Sequence, residues 1–212
     1  MIEAVIFDMD GVLIESEPYH IRAEIAVFKK HGISLTDEIA SEYLGFKLDD
    51  YITALGKRFR KDIDHQAISA ELHKRIEIMY EEEVPLVPHV KELLPVLNES
   101  YKLALVTSRE KHLALAVLNR LGIANFFSTG VYREDVQYGK PHPEGFLTAA
   151  KLLEVAPINC AVIEDAQAGI EASKQAGMYV IARKAAHNRN QNFSLADEVV
   201  EDLSILPGLL AS

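Results

Sequence analysis

Four short stretches carry residues whose types and spacing suit chemistry. Asp8-Met-Asp10-Gly11 sets two carboxylates directly after the apolar run Ala4-Val-Ile-Phe7. An apolar run that ends in acid reads as a buried strand stopping where polar chemistry begins. Glu164-Asp165 repeats the arrangement after Cys160-Ala-Val-Ile163. Alone, either pair is an acidic turn. Gathered at one sheet edge, the four carboxylates would repel one another unless a cation neutralised them, and hard oxygen ligands in that number point to Mg²⁺. Lys140, in Gly139-Lys-Pro-His-Pro143, could add positive charge, although a Gly-Lys-Pro loop by itself is an ordinary turn with a solvated lysine. Thr107-Ser108-Arg109 precedes a helical pattern, so its hydroxyls and backbone N–H groups can hold an anion; Thr107 taken singly is as readily a helix N-cap. Together, an acid pair, a hydroxyl, a lysine and a second acid pair, each at a strand end, make one site for transferring a phosphoryl group.

Positioning these stretches requires a sheet. Lys102-Leu-Ala-Leu-Val-Thr107, Cys160-Ala-Val-Ile-Glu164 and Tyr179-Val-Ile-Ala182 resemble the first apolar run, and residues 127–131 give a weaker one. Between them lie helical patterns: Leu113, Val117 and Leu121 closed by Gly122; Phe146, Ala149 and Leu153 after Pro143; Ile170 and Ala176 closed by Gly177. Strand and helix in alternation predict an α/β fold, a Rossmann-like parallel sheet with helices on both faces. Pro95 interrupts the helical stretch 90–97, predicting a short or kinked helix there.

Between the first strand and Pro88 the periodicity is helical throughout. Ile21, Ile25 and Phe28 precede the stop His31-Gly32, and Ile68, Leu72, Ile76 and Tyr80 form a stripe spaced four apart. This predicts a helical-bundle cap over residues 15–87, inserted into a core of residues 1–14 and 88–212, with hinges near Leu13 to Pro18 and at Val84-Pro-Leu-Val-Pro88.

Composition excludes several classes. With 22 Lys+Arg against 32 Asp+Glu, a formal charge of -10 repels nucleic acid. Cys160, the single cysteine, forms no internal disulfide and reads as a buried structural residue opening a strand. No apolar run approaches membrane-spanning length, and the start Met-Ile-Glu-Ala lacks a signal-peptide layout, so a cytoplasmic protein, monomeric or weakly homodimeric, is expected.

The order and types of these motifs resemble the haloacid dehalogenase-like superfamily, in its branch with a helical cap after the first acidic motif. Phe7-Asp8-Met-Asp10-Gly-Val-Leu13, Leu105-Val-Thr107-Ser108, Gly139-Lys140-Pro-His-Pro143 and Val162-Ile-Glu164-Asp165-Ala-Gln-Ala-Gly169-Ile look like its four motifs. The resemblance implies that Asp8 is the nucleophile, Asp10 the general acid/base, Thr107 the phosphate-binding hydroxyl and Lys140 the lysine joining nucleophile and phosphate. It implies a Mg²⁺ site made by Asp8, the backbone carbonyl of Asp10, and Asp165 with Glu164 supporting it. Asp10 separates the chain from dehalogenases, which have no leaving alcohol to protonate. The implied reaction is two-step hydrolysis of a small phosphate monoester, a sugar phosphate foremost, through an aspartyl-phosphate.

Ser16-Glu-Pro-Tyr-His20-Ile-Arg-Ala23 also resembles phosphomutases of the β-phosphoglucomutase type, and a mutase must hold a second phosphate. Most of that basic subsite is absent here: Leu48, Ile76 and Arg109-Glu110-Lys111 stand at the corresponding places, with Lys47 or Arg75 as substitutes. A non-catalytic protein on this scaffold would be favoured had Asp8, Asp10, Lys140 or Asp165 been replaced, and none is. Candidates for contacting a small phosphorylated metabolite beyond its phosphate are Ser16, His20, Phe46 and Lys47, with Ser108 and Arg109 beside the hydroxyl motif.

Overall fold

The computed structural model describes residues 1–41 and 48–211 and divides into two compact units, Met1–Glu15 with Val84–Ser212, and Ser16–Glu83. The elements in chain order are β1 (Ala4–Phe7), α1 (Glu17–Lys30), α2 (Asp37–Ser41), α3 (Leu48–Phe59), α4 (His65–Glu82), α5 (Val90–Asn98), β2 (Lys102–Val106), α6 (Lys111–Arg120), β3 (Thr129–Val131), α7 (Glu144–Leu153), β4 (Cys160–Glu164), α8 (Gln167–Gln175), β5 (Tyr179–Arg183), β6 (Glu198–Val200) and α9 (Leu206–Leu210).

In the first unit the strands form one six-stranded parallel sheet ordered β3-β2-β1-β4-β5-β6. The chain builds outward from β1 in one direction, then returns to build in the other. β1 and β4 therefore flank the switch point, where open sheets of this kind bind ligands beyond their carboxyl ends. All four β1 residues are buried, because helices cover both faces. Ala4 and Ile6 join Ala104, Val106, Val162, Phe146 and Ala172 in a cluster against α7 and α8. α6 and α8 end close to the glycines that the pattern marks, Gly122 and Gly177, which take φ +72 and +77. α5 runs unbroken through Pro95, which lies on its exposed side where water can reach the carbonyl the proline leaves unpaired.

The second unit is helical among its described residues. Val27, Phe28, Ile33, Tyr51, Ile52, Leu55, Ile68 and Leu72 pack into their own core. Tyr80 and Met79 are also buried, while Ile76 is half-buried.

The connecting segments run side by side within the first unit. Glu15 N–H donates to Pro85 O at 3.0 Å and Val87 N–H to Leu13 O at 3.0 Å, with an antiparallel bridge between Ile14 and Leu86. Among the described residues no helix is long and apolar enough to cross a membrane.

Candidate active site

Strand register assembles the site. Phe7 pairs with Leu105 on one side and with Ile163 on the other, so the next residue on each strand, Asp8, Val106 and Glu164, stands level at the sheet edge. Asp8 continues the ladder with its N–H donating to Ile163 O at 3.0 Å. Thr107, one residue beyond β2, does the same to Val131 O at 3.0 Å.

Lys140 closes this edge. Its Nζ donates to Asp8 Oδ1 at 2.5 Å and to Glu164 Oε1 at 2.6 Å, and lies 3.5 Å from Val106 O. Its ammonium also stands 5.2 Å from the centre of the Phe146 ring, whose apolar face seals that side. Glu164 is 1% exposed, and its Oε2 accepts from the N–H groups of Asp165 at 2.8 Å and Ala166 at 3.0 Å. Both its oxygens are thus held by protein donors. Gly169 makes this possible, since a Cβ there would fall 1.7 Å from Glu164 Oε1.

Asp8, Glu164 and Asp165 can each offer one oxygen such that all three lie within 4.8 Å. Burial pushes the Asp8 carboxyl well above its ordinary range; Lys140 opposes the shift, and Glu164, Asp165 and Asp10 add to it. Burial raises Asp165 too, against a hydrogen bond from His187. Burial would depress the Lys140 ammonium, but Asp8 and Glu164 outweigh it and hold it above the ordinary lysine value. Lys140 therefore stays charged, a single positive charge facing the carboxyl groups gathered at this edge. That donor set, all hard oxygens and short of positive charge, fits a divalent cation such as Mg²⁺.

Asp10 is brought to the same edge and paired with Arg109, whose Nε donates to Asp10 Oδ2 at 2.8 Å. Thr107 is not the N-cap of α6. Its Oγ1 accepts from Arg109 N–H at 3.1 Å, while Glu110 holds the cap position. The Glu134 carboxylate takes the first amide of the helix, from Lys111, at 3.1 Å to each oxygen. An anion at this edge would meet the Thr107–Ser108 turn, since the α6 terminus already carries an acid. Ser108 itself is exposed.

The other candidates lie in the helical unit. Ser16 is 1% exposed, and its carbonyl accepts from the N–H groups of Tyr19 and His20 at 3.0 Å each. His20 Nε2 lies 3.2 Å from the buried Tyr80 hydroxyl. Phe46 and Lys47 lie outside the described residues. Cys160 is fully buried and its Sγ donates to Ala156 O at 3.6 Å; burial pushes the thiol up to about 11, which makes it a poor nucleophile.

Sequence reasoning missed a group behind Asp165. His187 Nε2 is 2.8 Å from Asp165 Oδ2, and Asn188 Nδ2 donates to Asp165 O at 2.9 Å. The buried Arg183 reaches Gly11 O with one terminal nitrogen and Glu15 Oε2, at 3.1 Å, with the other. An arginine ending the apolar run of β5 was the one available signal.

A parallel sheet in this order, with paired carboxylates, a buried lysine and a hydroxyl turn at its carboxyl edge, defines a phosphoryl-transfer class of α/β protein. The chain matches the family model for haloacid dehalogenase-like hydrolases over residues 5–183, and it belongs to that family. Over 177 residues it is 33% identical to the phosphorylated carbohydrates phosphatase of Thermotoga maritima, spanning 83% of this chain and 82% of that one. Over 187 residues it is 31% identical to the β-phosphoglucomutase of Bacillus subtilis, spanning 84% and 82%. A solved candidate β-phosphoglucomutase of Thermotoga maritima superposes with a TM-score of 0.84 at 30% identity, covering 98% of each chain.

Proposed function

We infer that this hydrolase is a Mg²⁺-dependent phosphatase of a small phosphorylated metabolite, a sugar phosphate foremost, and that Asp8 carries the phosphoryl group between its two steps. The observation that carries the reading is Lys140 bridging Asp8 at 2.5 Å and Glu164 at 2.6 Å, with Asp10 two residues on. An ammonium so placed fixes the Asp8 carboxylate and meets the charge of an arriving phosphate. The named phosphatase and mutase relatives support the substrate class.

In the first step an Asp8 oxygen attacks phosphorus in line, the bond to the alcohol oxygen breaks, and Asp10 gives that oxygen its proton. In the second, Asp10 takes a proton from water, whose oxygen attacks phosphorus and breaks the bond to Asp8. Thr107 and the N–H groups of its turn hold phosphoryl oxygens, and Lys140 offsets their charge. Asp8, Asp165 and the Asp10 carbonyl would hold Mg²⁺, with Glu164 anchoring Lys140 behind them, and the ion supplies positive charge to the transferring group. Asp10, which lies 2.8 Å from Arg109 Nε in the free protein, must leave that partner and take up a proton as substrate binds before it acts as the acid. The helical unit serves as a cap that excludes water and selects the leaving group, with Ser16, His20, Phe46 and Lys47 as its contacts. The cytoplasm is the compartment that fits this chemistry.

A mutase would need a second phosphate subsite. Of the residues that could serve it, Arg75 pairs with Glu83 at 2.5 Å and Lys47 lies outside the described residues; Leu48 and Ile76, apolar where such a subsite is basic, favour hydrolysis. The test is phosphate release from a panel of phosphorylated sugars and other small monoesters, in Mg²⁺ and in EDTA, with β-glucose 1-phosphate plus glucose 1,6-bisphosphate as a mutase arm. Metal-dependent release from a few monoesters is expected. Formation of glucose 6-phosphate with little free phosphate would establish the mutase instead.

A further inference from the structure

We propose that His187 is a positioning residue for the cation site, orienting Asp165 from behind so that one carboxylate oxygen is left to a metal ion. The proposal rests on the Mg²⁺ reading above but concerns a residue outside the four motifs.

The geometry is specific. His187 lies in the turn after β5 and brings Nε2 to 2.8 Å from Asp165 Oδ2. Facing a carboxylate, that nitrogen carries the hydrogen and donates it. The other ring nitrogen, Nδ1, faces Glu15 Oε1 at 3.7 Å, and Glu15 is itself held by Arg183 at 3.1 Å. The imidazole thus spans from Asp165 to the residue where the chain leaves the sheet for the helical unit, and its side chain is 15% exposed. The turn that carries it is fixed by Asn188, which donates to Asp165 O and Arg183 O at 2.9 Å each and accepts from Ala185 N–H at 2.7 Å. Gly11 completes the fit. At φ +72 it has no side chain, and a Cβ there would lie 2.1 Å from Asp165 Oδ2 and 3.0 Å from His187 Nε2. The loop that holds Asp8 and Asp10 therefore leaves room for the His187–Asp165 pair.

A carboxylate has two oxygens and rotates about a broad torsion. Committing Oδ2 to a donor fixes the plane of the group and removes the freedom a cation would otherwise have to freeze out. Outer hydrogen bonds of this kind typically change metal affinity by about 10- to 100-fold.

The test is calorimetric titration of Mg²⁺ into substrate-free protein, comparing wild type with His187→Ala and His187→Gln, and the melting temperature of each in EDTA. We expect His187→Ala to bind Mg²⁺ about tenfold more weakly or worse. His187→Gln, whose amide can still donate to Oδ2, recovers part of the loss, and the EDTA melting temperatures stay close together. Mg²⁺ affinity unchanged within about twofold in both variants overturns the assignment, and so does equal weakening in both. If His187→Ala fails to fold, His187→Leu, close in bulk and unable to donate, takes its place: Mg²⁺ binding about tenfold weaker than wild type supports the proposal, and binding within about twofold of wild type overturns it. Absence of Mg²⁺ binding by the wild-type protein overturns the metal reading itself, a different failure from an indifferent His187.

Discussion

A single ammonium in this site answers to two carboxylates, and that arithmetic sets what substitutions do. Removing Lys140 leaves Asp8 and Glu164 buried and uncompensated, so Lys140→Met should abolish turnover and cost about 3–5 kcal/mol of stability in EDTA, read by urea unfolding. Removing Asp8 relieves the same crowding. Asp8→Asn should therefore lose turnover by several orders of magnitude while its melting temperature in EDTA holds or rises, and substantial residual activity would remove Asp8 as nucleophile. The raised Asp8 and Asp165 carboxyls have a second consequence, because a cation binds them only when ionised. The Mg²⁺ concentration giving half-maximal activity should fall as pH rises out of the acidic range; a flat profile would mean that these groups are ionised throughout. At this scale the sequence is informative where a side chain ends a buried strand. Asp8, Asp10, Thr107, Glu164 and Asp165 announce themselves that way; Lys140 does not, since it lies in a turn nine residues beyond β3 and reads alone as a solvated lysine. Arg109 does not: its partner Asp10 is 99 positions away, and from sequence it reads equally as a substrate anion site. His187 and Asn188 sit in a turn with no periodicity, and nothing local says that they face Asp165.

Among the elements, α1 carries a group with no part in the proposed chemistry. Glu24 accepts from the Tyr51 hydroxyl of α3 at 2.9 Å; burial pushes its carboxyl up to about 7, with Tyr51 opposing and Glu17 adding to the shift. A carboxyl raised on folding contributes stability that is present below its unfolded value, 4.5 here, and lost as pH climbs through about 7. Glu24→Gln keeps an acceptor for Tyr51 and cannot ionise, so its melting temperature should fall less than that of wild type between pH 5 and pH 8 in calorimetry. Identical curves would mean that Glu24 ionises freely. The elements also show where periodicity stops informing. α1, α4, α6, α7 and α8 follow their apolar spacing because each lays one face on a core. β6 escapes the pattern, since Glu198 and Val199 are exposed and only Val200 is buried, and three residues with one pointing inward carry no period.

For the whole molecule, each unit has its own buried core, Ala4 to Met178 in one and Val27 to Leu72 in the other, which is the condition for folding alone. The sheet unit with residues 16–83 replaced by a short Gly-Ser turn should keep helix and strand in far-UV circular dichroism and melt cooperatively; a non-cooperative melt would mean that the units fold as one. The paired segments at Glu15 and Pro85 give this a wider meaning. Two antiparallel strands that bond to each other as they leave a sheet are the stem of a hairpin, and residues 16–83 are its loop. The entropic cost of closing a hairpin loop grows only as the logarithm of its length. The stem at Ile14 and Leu86 is thus a socket: what is plugged into it can be lengthened, trimmed or exchanged, and on the function proposed above such an exchange would change the substrate accepted while leaving the carboxylates at the sheet edge in place.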